Sequence, residues 1–267
     1  VVLPTGVDTA LPFACNAPFI QDPSRLKIKD PEISPTNRWL LERIGRLAAG
    51  VMLEWLGQNR LTLKERSRAY GVFPDVDRND NSLEGTCATT VEEAFGEAIS
   101  DRAFLLTDGG DLVAAKEAVI IPDELLEVWS AEQIAAFLDK GNRPPFSHYV
   151  SYRDSEKLVH WSFIERIGKQ EVLAALQAKH LPKPDAWRRL LRLWAYIAPE
   201  VTGYSYQLNK KALRIVPAQG KDVLYAANEV VRLGEKRLLQ SDEDWQFLAD
   251  HLLVLNQNWP RFLAEQR

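Results

Sequence analysis

Two stretches about 110 residues apart read as copies of one another, and this repeat narrows the possible folds more than any other feature. The run from Ala103 to Ile120 lies beside the run from Leu213 to Val231. Gly110 falls on Gly220; after one inserted residue, Val119 falls on Val230 and Ser130 on Ser241. Each copy reads as a helix, a β-hairpin with a glycine turn, a short strand and a serine-capped helix. Two copies are too few for a solenoid. The fold expected is therefore mixed α/β: an N-terminal β-hairpin and long-helix layer, then two helix–β-hairpin–helix modules. The segment from Lys140 to Pro145 has the densest helix and strand breakers in the chain and reads as a linker. The organisation expected is 1–60 as a coupling segment, 61–143 as the first module and 144–267 as the second.

Local patterns supply the elements. Val1–Leu3 and Leu11–Phe19 read as extended runs around a Thr5–Asp8 turn, with Pro12 and Pro18 suited to strand edges. Leu40, Ile44, Leu47, Val51 and Trp55 recur at helical spacing between Pro35 and Gly57, a stripe expected to bury against the preceding hairpin. Thr90 and Glu93 have the spacing of a capping box and predict a helix from there to Ile99. Helices are predicted over 122–128, 130–138, 156–167, 171–180, 186–198 and 241–255, with strands over 213–216 and 223–226.

Composition excludes several classes. The 267 residues are 46% hydrophobic and 26% charged, too apolar for a disordered chain. No apolar run approaches the ~18 residues of a membrane span. Cys15 and Cys87, with histidines at 148, 160, 180 and 251, make neither a disulfide framework nor a zinc motif. A cytoplasmic protein without membrane attachment is expected. The chain starts at Val1 with no initiator Met, and is expected to be a piece of something longer.

Catalytic motifs are missing. The sequence has no Gly-Lys-Ser/Thr phosphate loop and no Gly-x-Ser-x-Gly elbow. Asp75–Asn81 resembles a calcium loop, but Asp80 and Thr86 stand where that loop needs Gly and a bidentate Glu. Arg188, Arg189 and Arg192 share one side of an apolar helix, and Lys210, Lys211 and Arg214 come after it. These groups could meet nucleic-acid phosphates, although 37 acidic residues against 33 basic ones and the lack of a stacking motif favour a solvated face.

The first fifty-odd residues carry a family pattern. Leu3-Pro4-Thr5, Thr9 to Phe13, Asn16 to Phe19, Ser24-Arg25 and Asn37 to Leu41 resemble the segment that follows a GHKL-type ATP-binding domain in sacsin and the plant No Vein family. The hairpin from Leu105 to Val113 is similar to one that recurs downstream in that family. In related ninety-kilodalton heat-shock chaperones an Arg in a Ser-Arg context reaches the ATP γ-phosphate. The resemblance therefore implies a γ-phosphate sensor at Arg25, with Lys27 or Lys29 as helpers. Leu26 departs from the family pattern, which has an acid there.

The ATP-binding motifs themselves are not in this chain. The resemblance implies that ATP and magnesium belong to an upstream GHKL domain and that this region couples it to a protein partner. Bacterial relatives accompany restriction or phage-defence genes, which implies DNA or another defence component as a partner. A nucleic-acid-binding module using Arg188, Arg189, Arg192, Lys210 and Lys211 is the first alternative. A protein-interaction scaffold built on the two hairpin modules is the second.

Overall fold

Pro35 stands at a helix first turn, where its missing N–H leaves no intrahelical bond unmade. Helix α1 runs Pro35–Leu56 in the computed structural model, and the Gly57 N–H closes it on the Leu53 carbonyl at 2.9 Å. The structure describes residues 6–141, 143–202, 209–232 and 241–266. The Val1–Leu3 run and Asn142 of the expected linker lie outside the described residues.

The buried face of α1 is not the expected stripe. Leu41, Gly45, Ala48, Ala49, Met52 and Leu56 are buried, whereas Leu47 and Val51 are 68% and 47% exposed. The helix is apolar on most sides, and the face with the small residues is the one that packs. There α1 crosses α3 (Leu83–Ile99) so closely that a Cβ on Gly45 would lie 2.3 Å from the Val91 carbonyl oxygen. Helix α3 also starts earlier than expected. Ser82 is its N-cap, accepting from the Gly85 N–H at 3.1 Å. Thr90 sits inside the helix and donates its hydroxyl to the Thr86 carbonyl, so the Thr90–Glu93 spacing is no capping box here.

Next along the chain are α2 (Leu63–Ser67) and the 3-10 turn Arg68–Val72. Beyond α3 come β1 (Leu105–Leu106), β2 (Leu112–Val113), β3 (Val119–Ile120), α4 (Asp123–Leu126) and α5 (Ala131–Phe137). Then come α6 (Tyr152–His160), β4 (Glu165–Arg166), α7 (Lys169–Ala178), α8 (Trp187–Thr202), β5 (Arg214–Pro217), β6 (Leu224–Ala226), α9 (Asp242–His251) and α10 (Asn258–Glu265). The predicted helix over 156–167 begins four residues earlier and stops at His160, where Trp161 caps it and Ser162 turns at φ +58°. The predicted 241–255 helix stops at His251, because 254–255 is recruited to strand pairing.

Contacts group the chain into two units, one of 1–120 with 144–165 and one of 121–143 with 166–267. Segment 1–60 is not a separate layer, because its core is shared with later residues: Ala48, Met52 and Leu56 of α1 cluster with Tyr70, Phe73, Phe95, Phe104 and Leu105. Phe73 meets Phe95 and Trp161 edge-on, at 5.1 and 5.5 Å between centroids. In the second unit Trp129 packs on Phe137 and donates its indole N–H to the Pro182 carbonyl at 2.8 Å. Leu190, Leu193 and Ile197 give α8 its buried face.

The repeat is visible bond by bond. Leu105 pairs with Val113 and Leu106 with Leu112; likewise Val216 pairs with Tyr225 and Pro217 with Leu224. Val119 donates to the Pro144 carbonyl and accepts from Phe146, as Val231 donates to Leu253 and accepts from Leu255. Asp108 donates to Pro145 and Ser147 to Leu106, as Gln219 does to Val254 and Asn256 to Pro217. Glu117 accepts the Ala114 N–H at 2.9 Å, and Glu229 that of Ala226 at 2.8 Å. Ser130 caps α5 by accepting from Gln133, and Ser241 accepts from Asp244. Both hairpin turns place a glycine at positive φ, Gly110 at +91° and Gly220 at +65°. Hydrogen bonding sets the whole second hairpin one residue further along than the sequence match, Leu105 on Val216 rather than Ile215 and Val119 on Val231 rather than Val230, and its turn between Ala218 and Leu224 is one residue longer than that between Thr107 and Leu112.

One difference between the copies is chemically complete. The buried Tyr70 hydroxyl donates to the Phe104 carbonyl at 2.6 Å and accepts the Leu106 N–H at 2.8 Å. In the second copy these positions are Ile215 and Pro217. Proline has no N–H to satisfy, and the group that meets Ile215 is the Trp194 indole, a donor only, at 2.9 Å.

Candidate functional site

Arg25 sits at the tip of a hairpin that is held at its base. Lys29 N–H donates to Ile20 at 2.8 Å, and Asp22 N–H to Lys27 at 3.0 Å, around a Gln21–Ile28 bridge. This is the hairpin of the N-terminal layer; it lies over 20–29, whereas Leu11–Phe19 is assigned no strand. The fully buried Asn37 of α1 fixes its base. Its Oδ1 accepts the Ile20 N–H, and its Nδ2 donates to the Ile20 and Lys29 carbonyls, all within 2.8 Å.

The tip is organised by Asp22. The Ser24 hydroxyl donates to its carboxylate at 2.6 Å and the Lys27 N–H at 3.3 Å, while the Arg25 N–H bonds its carbonyl at 3.0 Å. The Ser24 hydroxyl above all, helped by the backbone N–H groups, holds the Asp22 carboxyl below its usual range. Arg25 adopts φ +59°, a left-handed conformation that glycine or asparagine adopts at less cost. Its side chain is exposed and forms no ion pair among the described residues. The carboxylates of Asp22 and Asp30, its nearest acids in sequence, form no ion pair with its guanidinium. Lys27 does not stand free beside it: its ammonium contacts Glu84 at 2.8 Å. Lys29 is exposed, and its carbonyl serves the Asn37 anchor.

The basic residues of the second unit divide by partner. On α8, Arg189 lies 3.9 Å from Asp185 and Arg192 3.0 Å from Glu127, while Arg188 is exposed without an ion pair among the described residues. Lys210 and Lys211 are exposed on a 3-10 turn, Lys210–Ala212. Arg214 turns inward, donating to the Gln177 carbonyl and lying 3.5 Å from Glu229. Two of the three α8 arginines are thus partly neutralised, and Arg214 serves the fold.

The structure also brings together a pair that no motif spacing announces. His148 Nδ1 lies 2.8 Å from Asp108 Oδ1, and the His148 backbone N–H donates to the same oxygen at 3.1 Å. The two are joined by the repeat's strand pairing across 40 residues of sequence, which only a register for the hairpin could have revealed. Their counterparts are Gln219 and Gln257. Ser147, the residue beside His148, is buried and its hydroxyl has no partner among the described residues. Cys87 is buried, and burial pushes its thiol up to about 12, far from a reactive thiolate.

Among the described residues no group of three or more His, Cys, Asp or Glu side chains is arranged to hold a metal ion, and Asp77 and Asp80 of the calcium-like loop bond to Asn79 and Ser82 instead. No described helix is long and apolar enough to cross a membrane. No protein-family model, curated protein or solved structure matches the chain.

Proposed function

We propose that this chain is the coupling and recognition region of a GHKL-type ATPase related to sacsin. Arg25 engages the γ-phosphate of ATP held by the ATPase domain, and the repeated modules pass the resulting movement to a protein partner. The observation that carries this is the 20–29 hairpin. It is fixed to α1 through the buried Asn37 and presents, at a left-handed position, an arginine with no carboxylate to neutralise it among the described residues. A guanidinium offers a planar fork to phosphate oxygens, and its charge at a transferring phosphoryl group is worth ~3–5 kcal/mol in such enzymes. A preorganised donor adds more than a mobile one, because it needs no reorganisation during the reaction. The loop's stiffness therefore suits the role as well as its charge does.

In this reading ATP and magnesium are bound outside this chain, and the protein works in the cytoplasm. A place in bacterial restriction or phage defence rests on the resemblance. The test is ATP hydrolysis by the chain joined to its ATPase domain. Arg25→Ala should lower kcat roughly ten-fold or more with KM for ATP little changed, since the lost contact belongs to the reacting phosphate. Equal kcat in the two proteins would remove the sensor assignment.

A further inference from the structure

The equivalent faces of the two repeat copies differ in what covers them. In the first copy Leu105, Ala118, Phe146 and Val150 are buried in one cluster with Ala48, Met52 and Leu56 of α1 and with Tyr70. Tyr70 meets Phe146 edge-on at 5.7 Å. A helix with small and aliphatic side chains at four-residue spacing thus completes that copy.

In the second copy the matching residues are Val216, Val230, Leu255 and Trp259. They line an open cleft of about 540 Å³ together with Trp194 and Leu263. Val216, Val230 and Leu255 remain partly exposed where their counterparts Leu105, Ala118 and Phe146 are buried. Two further observations separate this cleft from a mere apolar surface. Among the described residues Arg232, at the position of the buried Ile120, is the single charged residue of the lining and has no carboxylate partner. The Trp259 indole N–H is buried and without an acceptor among the described residues, a polar group left unsatisfied.

We propose that this cleft is a docking site for an amphipathic α-helix of a partner protein. The helix presents small and aliphatic side chains at i, i+4 and i+8, the pattern of Ala48, Met52 and Leu56, and carries a carboxylate at its margin for Arg232. The repeat supplies the shape of the occupant, because the same hairpin scaffold already accepts such a helix once. The lone guanidinium in an apolar lining supplies its charge. The proposal is independent of the Arg25 sensor and stands or falls without it.

The test uses a fluorescein-labelled synthetic peptide of residues 35–57, the segment that covers the first copy, titrated against the purified chain by anisotropy. Saturable binding in the micromolar range is expected. Val230→Asp and Leu263→Lys should each weaken it about ten-fold or more while circular dichroism shows an unchanged fold. A peptide carrying Glu42→Gln and Glu54→Gln should bind the natural chain several-fold more weakly, yet lose nothing further against Arg232→Gln, a surface variant that leaves the core intact. No saturable binding, or binding indifferent to all three variants, overturns the proposal. If light scattering shows a dimer that Val230→Asp dissociates, the occupant is a second copy of this chain and the partner-helix assignment fails.

Discussion

Tyr70 and Trp194 show how much a single side chain can settle. Each reaches one repeat copy at the same backbone carbonyl, and each matches the hydrogen-bonding needs of its site. Tyr70 both donates and accepts because Phe104 and Leu106 offer a carbonyl and an N–H; Trp194 only donates because Pro217 offers no N–H. Tyr70→Phe leaves both backbone groups buried and unpaired, and a loss of about 2–4 kcal/mol in urea unfolding is expected. Trp194→Phe orphans only the Ile215 carbonyl on a less buried strand, and a loss of about 1–2 kcal/mol is expected. A smaller loss for Tyr70→Phe than for Trp194→Phe would contradict the matched roles. Nothing local marks Tyr70 as special, since its partners lie more than thirty residues away. The same holds for Asp108 and His148. The loop that carries Arg25, by contrast, is legible from its turn-forming Asp22, Pro23 and Ser24, while the choice of Arg25 itself comes from the family resemblance.

Elements are legible where one signal dominates and ambiguous where two compete. Pro35 and Gly57 bracket α1 because each suits a helix end. The helix predicted from Ser130 is α5, and Ser130 and Gln133 open it with a capping box. The buried face of α1 is displaced by one position from the expected stripe, because Leu40–Leu41, Leu47–Ala48 and Val51–Met52 are all apolar neighbours and the stripe can be drawn through either member. What decides between them is Gly45, whose missing side chain lets the α3 backbone approach. Gly45→Ala would drive a methyl into the Val91 carbonyl and the Ala94 Cβ, at 2.3 and 3.0 Å, so the helices must part. A loss of about 3 kcal/mol or more is expected from thermal or urea unfolding, despite the better helix propensity of alanine. A neutral or stabilising effect would show that the crossing is looser than described. Thr90 misleads for a related reason: a Thr-x-x-Glu spacing arises inside helices too, and only the start at Ser82 distinguishes the two settings.

At the scale of the whole molecule, the repeat is the organising fact. It is visible in the sequence through its glycine turns and serine caps, but its register is not, because Ile215 and Val216, like Val230 and Val231, are apolar neighbours and the match can be drawn through either member. The division into two units is also beyond the sequence. Segment 121–143 groups with 166–267, and 144–165 with 1–120, so the order of contacts does not match the order of the chain. The breaker-rich 140–145 stretch marks one of these boundaries, between 143 and 144, without revealing that the chain passes between units more than once. The first copy is completed by a helix of its own chain and the second presents an open cleft, which gives the molecule one closed copy of the repeat and one receptive copy. The N-terminal hairpin gives it an exposed arginine at its tip, the group we propose for the phosphate contact.

That tip is the centre of the functional account, and its chemistry can be read directly. Arg25 is exposed and unpaired among the described residues, so phenylglyoxal should modify its guanidinium, and peptide mass spectrometry can locate and quantify the adduct. In the chain joined to the ATPase domain we propose for it, a non-hydrolysable ATP analogue should protect Arg25, while ADP, which lacks the γ-phosphate, should not. Equal modification of Arg25 with the analogue, with ADP and without nucleotide would contradict the account.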